Sequence, residues 1–133
     1  MWPILKGHAA SLFLTQYPEA IETIGSMERM LAAEMPKAVL ISDEAGFYGR
    51  AMVTASKKTG VKTVGLQHGA IDDNHIEYIH TGDGPVLPCP IPDITAVWGA
   101  KDKRLLTESG RYSDSDVIIT GCPRYDYLAR AAD

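Results

Sequence analysis

Three short polar clusters hold the side chains with chemistry to offer: Ser42-Asp43-Glu44, Gln67-His68-Gly69 and Gly121-Cys122-Pro123-Arg124. His68 is of a type that exchanges a proton near neutral pH, which makes it the candidate general base. Gln67 is placed to orient its ring, and Gly69 permits a sharp turn or a close backbone approach to a ligand. The competing role for His68 is a plain hydrogen bond to a neighbouring loop. Asp43 and Glu44 are candidates for holding a substrate hydroxyl or taking its proton. An Asp in a turn before a helix more often accepts turn or cap hydrogen bonds, and that role is favoured for Asp43. Arg124 adds a cation and completes the candidate substrate-contacting set.

Other combinations are weaker. Gly46, Gly49 and Arg50 open a helix and have the makings of an anion cradle. They match no dinucleotide or P-loop fingerprint, and two carboxylates directly before them oppose a phosphate. His75 and His80 lie near Asp72 and Asp73 without a distinctive ligand spacing, so neither a metal nor any other cofactor is expected. Cys89 and Cys122 fit no metal spacing and are read as free thiols.

The elements that would position these clusters follow from pattern. Pro18 to Met35 has a proline in its first turn, acids at its start and Ile21, Ile24, Leu31 and Met35 at helical spacing. Short apolar runs predict strands near 38–42, 61–66, 94–98 and 116–120. Helices are predicted over Phe47–Thr59, with Gly60 as its cap, over Lys101–Ser109, and from Pro123 through Ala129. Between the second and third strands, Ala70–Pro92 shows no sustained period and contains Pro85, Pro88, Pro90 and Pro92. It is expected to be the least regular internal segment, with Ile76, Tyr78 and Ile79 as anchors. Strands alternating with helices predict right-handed βαβ units and a parallel sheet covered on both faces. All three clusters then fall just beyond the carboxyl ends of strands, where ligands collect in such sheets. Trp98-Gly99 at the third strand's end is assigned to core packing and a turn.

Composition narrows the classes. The chain has 133 residues, one domain's worth, with ordinary hydrophobic (45%) and charged (23%) fractions, which argues against disorder. A net charge of −4 with no basic run argues against nucleic-acid binding. No apolar stretch approaches the ~20 residues of a membrane span, and residues 1–8 do not look like a signal peptide. A cytoplasmic setting is therefore expected.

Four segments in order carry a family resemblance: Val39-Leu40-Ile41-Ser42-Asp43-Glu44, Thr63-Val64-Gly65-Leu66-Gln67-His68-Gly69, Pro92-Asp93-Ile94-Thr95-Ala96-Val97-Trp98-Gly99 and Val117-Ile118-Ile119-Thr120-Gly121-Cys122-Pro123-Arg124-Tyr125-Asp126. The series resembles the second half of the N-terminal, acceptor-side domain of GT-B-type glycosyltransferases. Surface-polysaccharide transferases, CDP-glycerol glycerophosphotransferases and UDP-N-acetylglucosamine 2-epimerases are the nearer likenesses. The likeness spans residues 36–128 of a single domain, 1–133, with Cys122 standing where Asn is more usual. It implies a Rossmann-like three-layer α/β sandwich, half of a GT-B architecture, lacking the C-terminal domain that binds a nucleotide-activated sugar or polyol donor. It implies a role in cell-surface polysaccharide synthesis, little turnover by the fragment alone, and base catalysis by His68 of the His68-Gly69 pair on an acceptor hydroxyl. Epimerisation of a nucleotide sugar, or a non-enzymatic flavodoxin-like binding or regulatory role, are the alternatives.

Overall fold

In the computed structural model the described residues are 2–79 and 89–125. The chain begins with one continuous helical rod: α1 (Trp2–Ser11), a π-helical turn (Leu12–Gln16) and α2 (Tyr17–Glu34). Pro18 does not start this helix. The wider turn before it, in which the Tyr17 N–H reaches back five residues to Leu12 O, lets the helix run on into a residue that has no N–H to give. Met35 ends the rod in the left-handed region (φ 46) and donates to Leu31 O. The buried Leu31 and half-buried Ile24 and Met27, at helical spacing, form the anchored side of α2, and Lys58 pairs with Glu28.

Four strands follow: β1 (Ala38–Ile41), β2 (Lys62–Leu66), β3 (Ile94–Val97) and β4 (Val117–Ile119). They form one parallel sheet in the order β1-β2-β3-β4, as the strand pattern predicted. The helix α3 (Phe47–Thr59) joins β1 to β2 and α4 (Ala100–Glu108) joins β3 to β4. Gly60 caps α3 at φ 78, where the absent Cβ removes the left-handed penalty.

The sequential order has a consequence that alternation alone did not reveal. Right-handed connections that always step in one direction place every crossover on the same face of the sheet. On that face Thr63, Thr95, Val97 and Val117 are buried, and Val97 and Val117 join Ile71, Tyr78, Leu106 and Tyr112 in one core cluster. Residues of the opposite parity, in register as Leu40–Val64–Ile94 and Leu66–Ala96–Ile118, form the other face. There Leu40 is 68% and Ile118 47% exposed. The third layer expected for a three-layer sandwich is thus not found among the described residues, which form two layers. Of the helix expected from Pro123 through Ala129, the described part is a 3₁₀ turn, Pro123–Tyr125, and the rest lies outside the described residues.

The connection after β2 is irregular where it is described. Ile71, Tyr78 and Ile79 anchor it as expected, whereas Ile76 points to solvent. Residues 80–88 lie outside the description. At the amino ends of β2 and β3, Thr63 N–H and Oγ1–H both donate to Asp93 Oδ2 (2.9 and 2.8 Å), and Asp93 N–H donates to Thr63 Oγ1 (3.0 Å). Burial alone would raise the Asp93 pKa, but the Thr63 hydrogen bonds and then Lys62 and Lys57 outweigh it, and the net shift is downward.

Close packing of α3 against the turn after β1 depends on Gly49, whose added Cβ would lie 1.9 Å from Asp43 O. Gly49→Ala is therefore expected to lower stability by ~2–3 kcal/mol or more. Gly69→Ala, where a Cβ meets nothing within 4 Å, is expected to stay within ~0.5 kcal/mol. Urea unfolding of the two variants side by side checks the contrast.

Candidate functional site

The carboxyl ends of all four strands open into a cleft of about 290 Å³, lined by Ser42 after β1, Leu66, Gln67 and His68 at β2, Ala96 and Trp98 at β3, and Thr120 to Arg124 after β4. The sheet brings His68, Gln67 and Arg124 together from two of the three polar clusters, with Ser42 from the other. His68 is exposed, and so is Arg124 on its short 3₁₀ turn. Gly121 at φ 78 turns the chain sharply from β4 into that segment, a conformation natural to glycine.

Gln67 has a different job from orienting the imidazole. It is 6% exposed, and its amide Nε2 donates to Gly69 O (2.9 Å) while its Oε1 accepts from Trp98 N–H (2.7 Å). The Trp98 indole N–H returns a bond to Gln67 O (3.0 Å), and Gln67 N–H donates to Ala96 O. This set of bonds sews the end of β2 to the end of β3 just where the sheet ladder stops. It fixes the backbone from which His68 projects. Gly69 adopts no left-handed conformation and has open space around it, so its contribution is room rather than a special turn.

The two carboxylates are placed apart from the cleft's lining. Asp43 is exposed, and its Oδ1 accepts the Gly46 N–H (3.1 Å), the turn-stabilising role that its position suggested. Glu44 is buried on the helix-covered side of the sheet, against Gly65, where a Cβ would come within 3.1 Å of its carboxyl. It lines a separate small cavity with Arg50, Tyr78, Cys89 and Tyr112. Tyr78 donates its hydroxyl to Oε1 (3.0 Å), while Oε2 is buried and has no hydrogen-bond partner among the described residues. Desolvation by burial raises the Glu44 pKa above the ordinary value; its backbone bond, the Tyr78 bond and the charge of His68 offset part of this, and Asp43 adds to it. Burial, followed by the charge of Glu44, raises both Tyr78 and Tyr112, so these phenols stay protonated.

The start of α3 does not present an anion cradle. The Arg50 guanidinium turns inward, donating to Ala45 O (2.6 Å) and to the Cys89 sulfur. His75 lies 3.4 Å from Glu77 and packs edge-on against Tyr78, and His80 lies outside the described residues. No group of three metal-ligating side chains occurs among the described residues, nor any helix there long and apolar enough to cross a membrane.

No family model, curated protein or solved structure matches the chain. The site is therefore judged on its geometry.

Packing and a turn account for only part of Trp98. Its half-buried ring also lines the cleft, and Tyr125 meets that ring edge-on with centroids 6.3 Å apart. The available signal was the place of Trp98 just past a strand's carboxyl end, one residue beyond β3 as His68 is two beyond β2.

Two expectations follow from these bonds. Gln67→Leu leaves the Trp98 N–H and Gly69 carbonyl unpaired and is expected to cost ~2–4 kcal/mol, with altered Trp98 fluorescence in the folded protein. For Glu44 the sign is set by its raised pKa. The folded state holds the proton more tightly than the unfolded state, so the stability associated with protonated Glu44 is full below the unfolded pKa. It falls as pH rises through the folded value. Glu44→Gln should flatten the decline that begins as pH rises past the unfolded carboxylate value, about 4, checked by denaturant midpoints measured from acid upward.

Proposed function

We propose that the chain is the acceptor-side half of a glycosyl or polyol-phosphate transferase, with the strand-end cleft as the acceptor site. The observation that supports this reading is the meeting of an exposed His68 with the Trp98 ring, itself met edge-on by Tyr125, and the Arg124 cation in one open cleft. Aromatic faces and edges suit the C–H surfaces of a sugar or polyol, and a few placed polar groups fix its orientation. The ordered likeness of residues 36–128 to GT-B acceptor domains points the same way, and in that reading the present sheet is half of a Rossmann-like domain.

In the reaction, His68 removes the proton from an acceptor hydroxyl as its oxygen forms a bond to the donor's anomeric carbon or phosphorus. The bond from that centre to the nucleotide's leaving group breaks, and the leaving group departs with its electron pair. Ser42 and Arg124 hold the acceptor, and Gln67 holds the segment that carries His68. Asp43 and Glu44 serve the loop and the layer beneath rather than the acceptor itself. The donor sits on a further domain, because the Arg50 guanidinium is already engaged by Ala45 and Cys89. Such chemistry belongs in the cytoplasm, where nucleotide-activated donors are present.

A positioned base contributes ~10²–10⁴-fold to such a step. In the complete enzyme, His68→Ala should lower kcat by about that factor with little change in Tm, since the side chain is exposed. His75→Ala, away from the cleft, should leave kcat near normal. Near-normal kcat in His68→Ala would remove the base from the mechanism. On the chain itself, glycerol 3-phosphate and chitobiose should shift the NMR signals of His68 and the Trp98 indole at around millimolar concentration, whereas UDP-N-acetylglucosamine and CDP-glycerol should give no tight calorimetric binding. Tight nucleotide binding to this chain would overturn the division of labour between two domains.

A further inference from the structure

Cys89 is a free, half-buried thiol that borders two cavities of different character. One is an open groove of about 500 Å³, lined by Cys89, Pro90 and Ile91 and by Thr54, Lys57 and Lys58 of α3. It gives small solutes a way to the residue. The other is the small cavity, about 10 Å³, that Cys89 shares with Glu44, Arg50, Tyr78 and Tyr112. It has room for about one water-sized molecule. Neither belongs to the strand-end cleft.

The groups around Cys89 suit one kind of chemistry. The Arg50 guanidinium donates to the Cys89 sulfur as well as to Ala45 O, and Lys57 and Lys58 add positive charge along the groove. The thiolate is the nucleophilic form of a cysteine, and reactive thiols occupy partly exposed, electropositive surroundings of this kind. Glu44 is an independent feature. It is 4% exposed, its Oε1 accepts from Tyr78, and its Oε2 is buried with no hydrogen-bond partner among the described residues. A buried polar atom left in that state costs roughly 1–3 kcal/mol, and a purely structural bond to Tyr78 does not account for it. Burial favours the protonated acid, so this carboxyl has a proton to give. The charges of Glu44, Cys89 and Arg50 all act on the Tyr112 phenol, which groups acid, sulfur and guanidinium about one small space.

We propose that Cys89 is a site of reaction with hydroperoxides, with Arg50 holding the attacking sulfur and Glu44 giving a proton to the departing oxygen. The thiolate attacks the terminal, hydroxyl-bearing oxygen of R–O–O–H. An S–O bond forms as the O–O bond breaks. The R–O fragment leaves with the bonding pair and takes the Glu44 proton, becoming an alcohol, or water where R is hydrogen. The sulfur is oxidised by two electrons to the sulfenic acid Cys89–S–O–H, and the peroxide is reduced by two. The product has its partners in place, since the new S–O–H donates to the Glu44 carboxylate and Arg50 stays beside the sulfur.

The test compares two reagents on the full chain, because only one of them needs the acid. Hydrogen peroxide expels an oxygen anion that takes up a proton, whereas iodoacetamide expels iodide, which does not. Site-resolved mass spectrometry, with the sulfenic acid trapped by dimedone, gives both rates at Cys89 and at Cys122. The ratio of the peroxide rate to the iodoacetamide rate should be ~10-fold or more higher at Cys89 than at Cys122, and the difference should vanish in the urea-unfolded chain. Glu44→Gln should slow peroxide at Cys89 by ~10-fold or more and leave iodoacetamide within ~2-fold of wild type, whereas Arg50→Gln should slow both. Equal ratios at the two cysteines of the wild-type chain would overturn the proposal, a comparison that needs no variant to fold. So would a Glu44→Gln chain in which both reagents slow together, because Glu44 then acts only by holding the structure. An unchanged peroxide rate in Glu44→Gln would overturn it as well.

Discussion

Successive right-handed connections stepping always in one direction along the sheet constrain everything else in this molecule. They bring α3, the loop after β2 and α4 to one face, so that face acquires a packed core around Val97, Val117, Leu106, Tyr78 and Tyr112. They also align all four carboxyl ends along a single rim, which is why the segments after β1, β2, β3 and β4 can share one cleft. On the opposite face Leu40, Leu66 and Ile118 are exposed and Ala96 is buried. Core and site are two results of one topology.

Precision at the rim comes from polar bonds rather than from apolar packing. Beyond the last ladder bond, two parallel strands have nothing to hold them in register, and the Gln67 amide supplies that link by satisfying one group on each side. At the other end of the same strand pair, Thr63 and Asp93 make the equivalent clasp. The pair β2–β3 is thus tied at both ends, although its connection contains no helix among the described residues. Between the clasps, Gly65 gives the buried Glu44 its space, and Glu44 in turn keeps Tyr78 as a hydrogen-bond donor. Buried carboxylate, glycine and phenol form one unit beneath the segment that carries His68.

Much of this was legible in the sequence. The four strands follow from short β-branched runs, and α3 and α4 from their apolar spacing and from Gly60, because these signals are local and a few residues suffice to express them. The location of His68 and Arg124 at strand ends was legible for the same reason. What was not legible is instructive residue by residue. Pro18 looked like a helix start because a proline's missing N–H is harmless there, but a π-turn just before it makes the same omission harmless inside a longer helix. Ile76 and Tyr78 have similar hydropathic claims, and only the path of the loop decides that Tyr78 is buried and Ile76 is not.

By itself, then, the sequence determined the four strands, α3 and α4, their parallel pairing and the set of chemically able residues at strand ends. Those depend on backbone propensity, side-chain period and connection length, all of which act over short stretches of chain. Tertiary structure alone decided that Gln67 clamps Trp98 and Gly69, that Glu44 turns into the buried layer and Asp43 into a turn, and that Trp98 lines the cleft with Tyr125 against its edge. It alone decided that Val97 and Val117 enter the core cluster while Leu40 and Ile118 on the other face are exposed. Each of these outcomes depends on which strand lies beside which, and a pattern that repeats every two residues is identical for a covered face and a bare one.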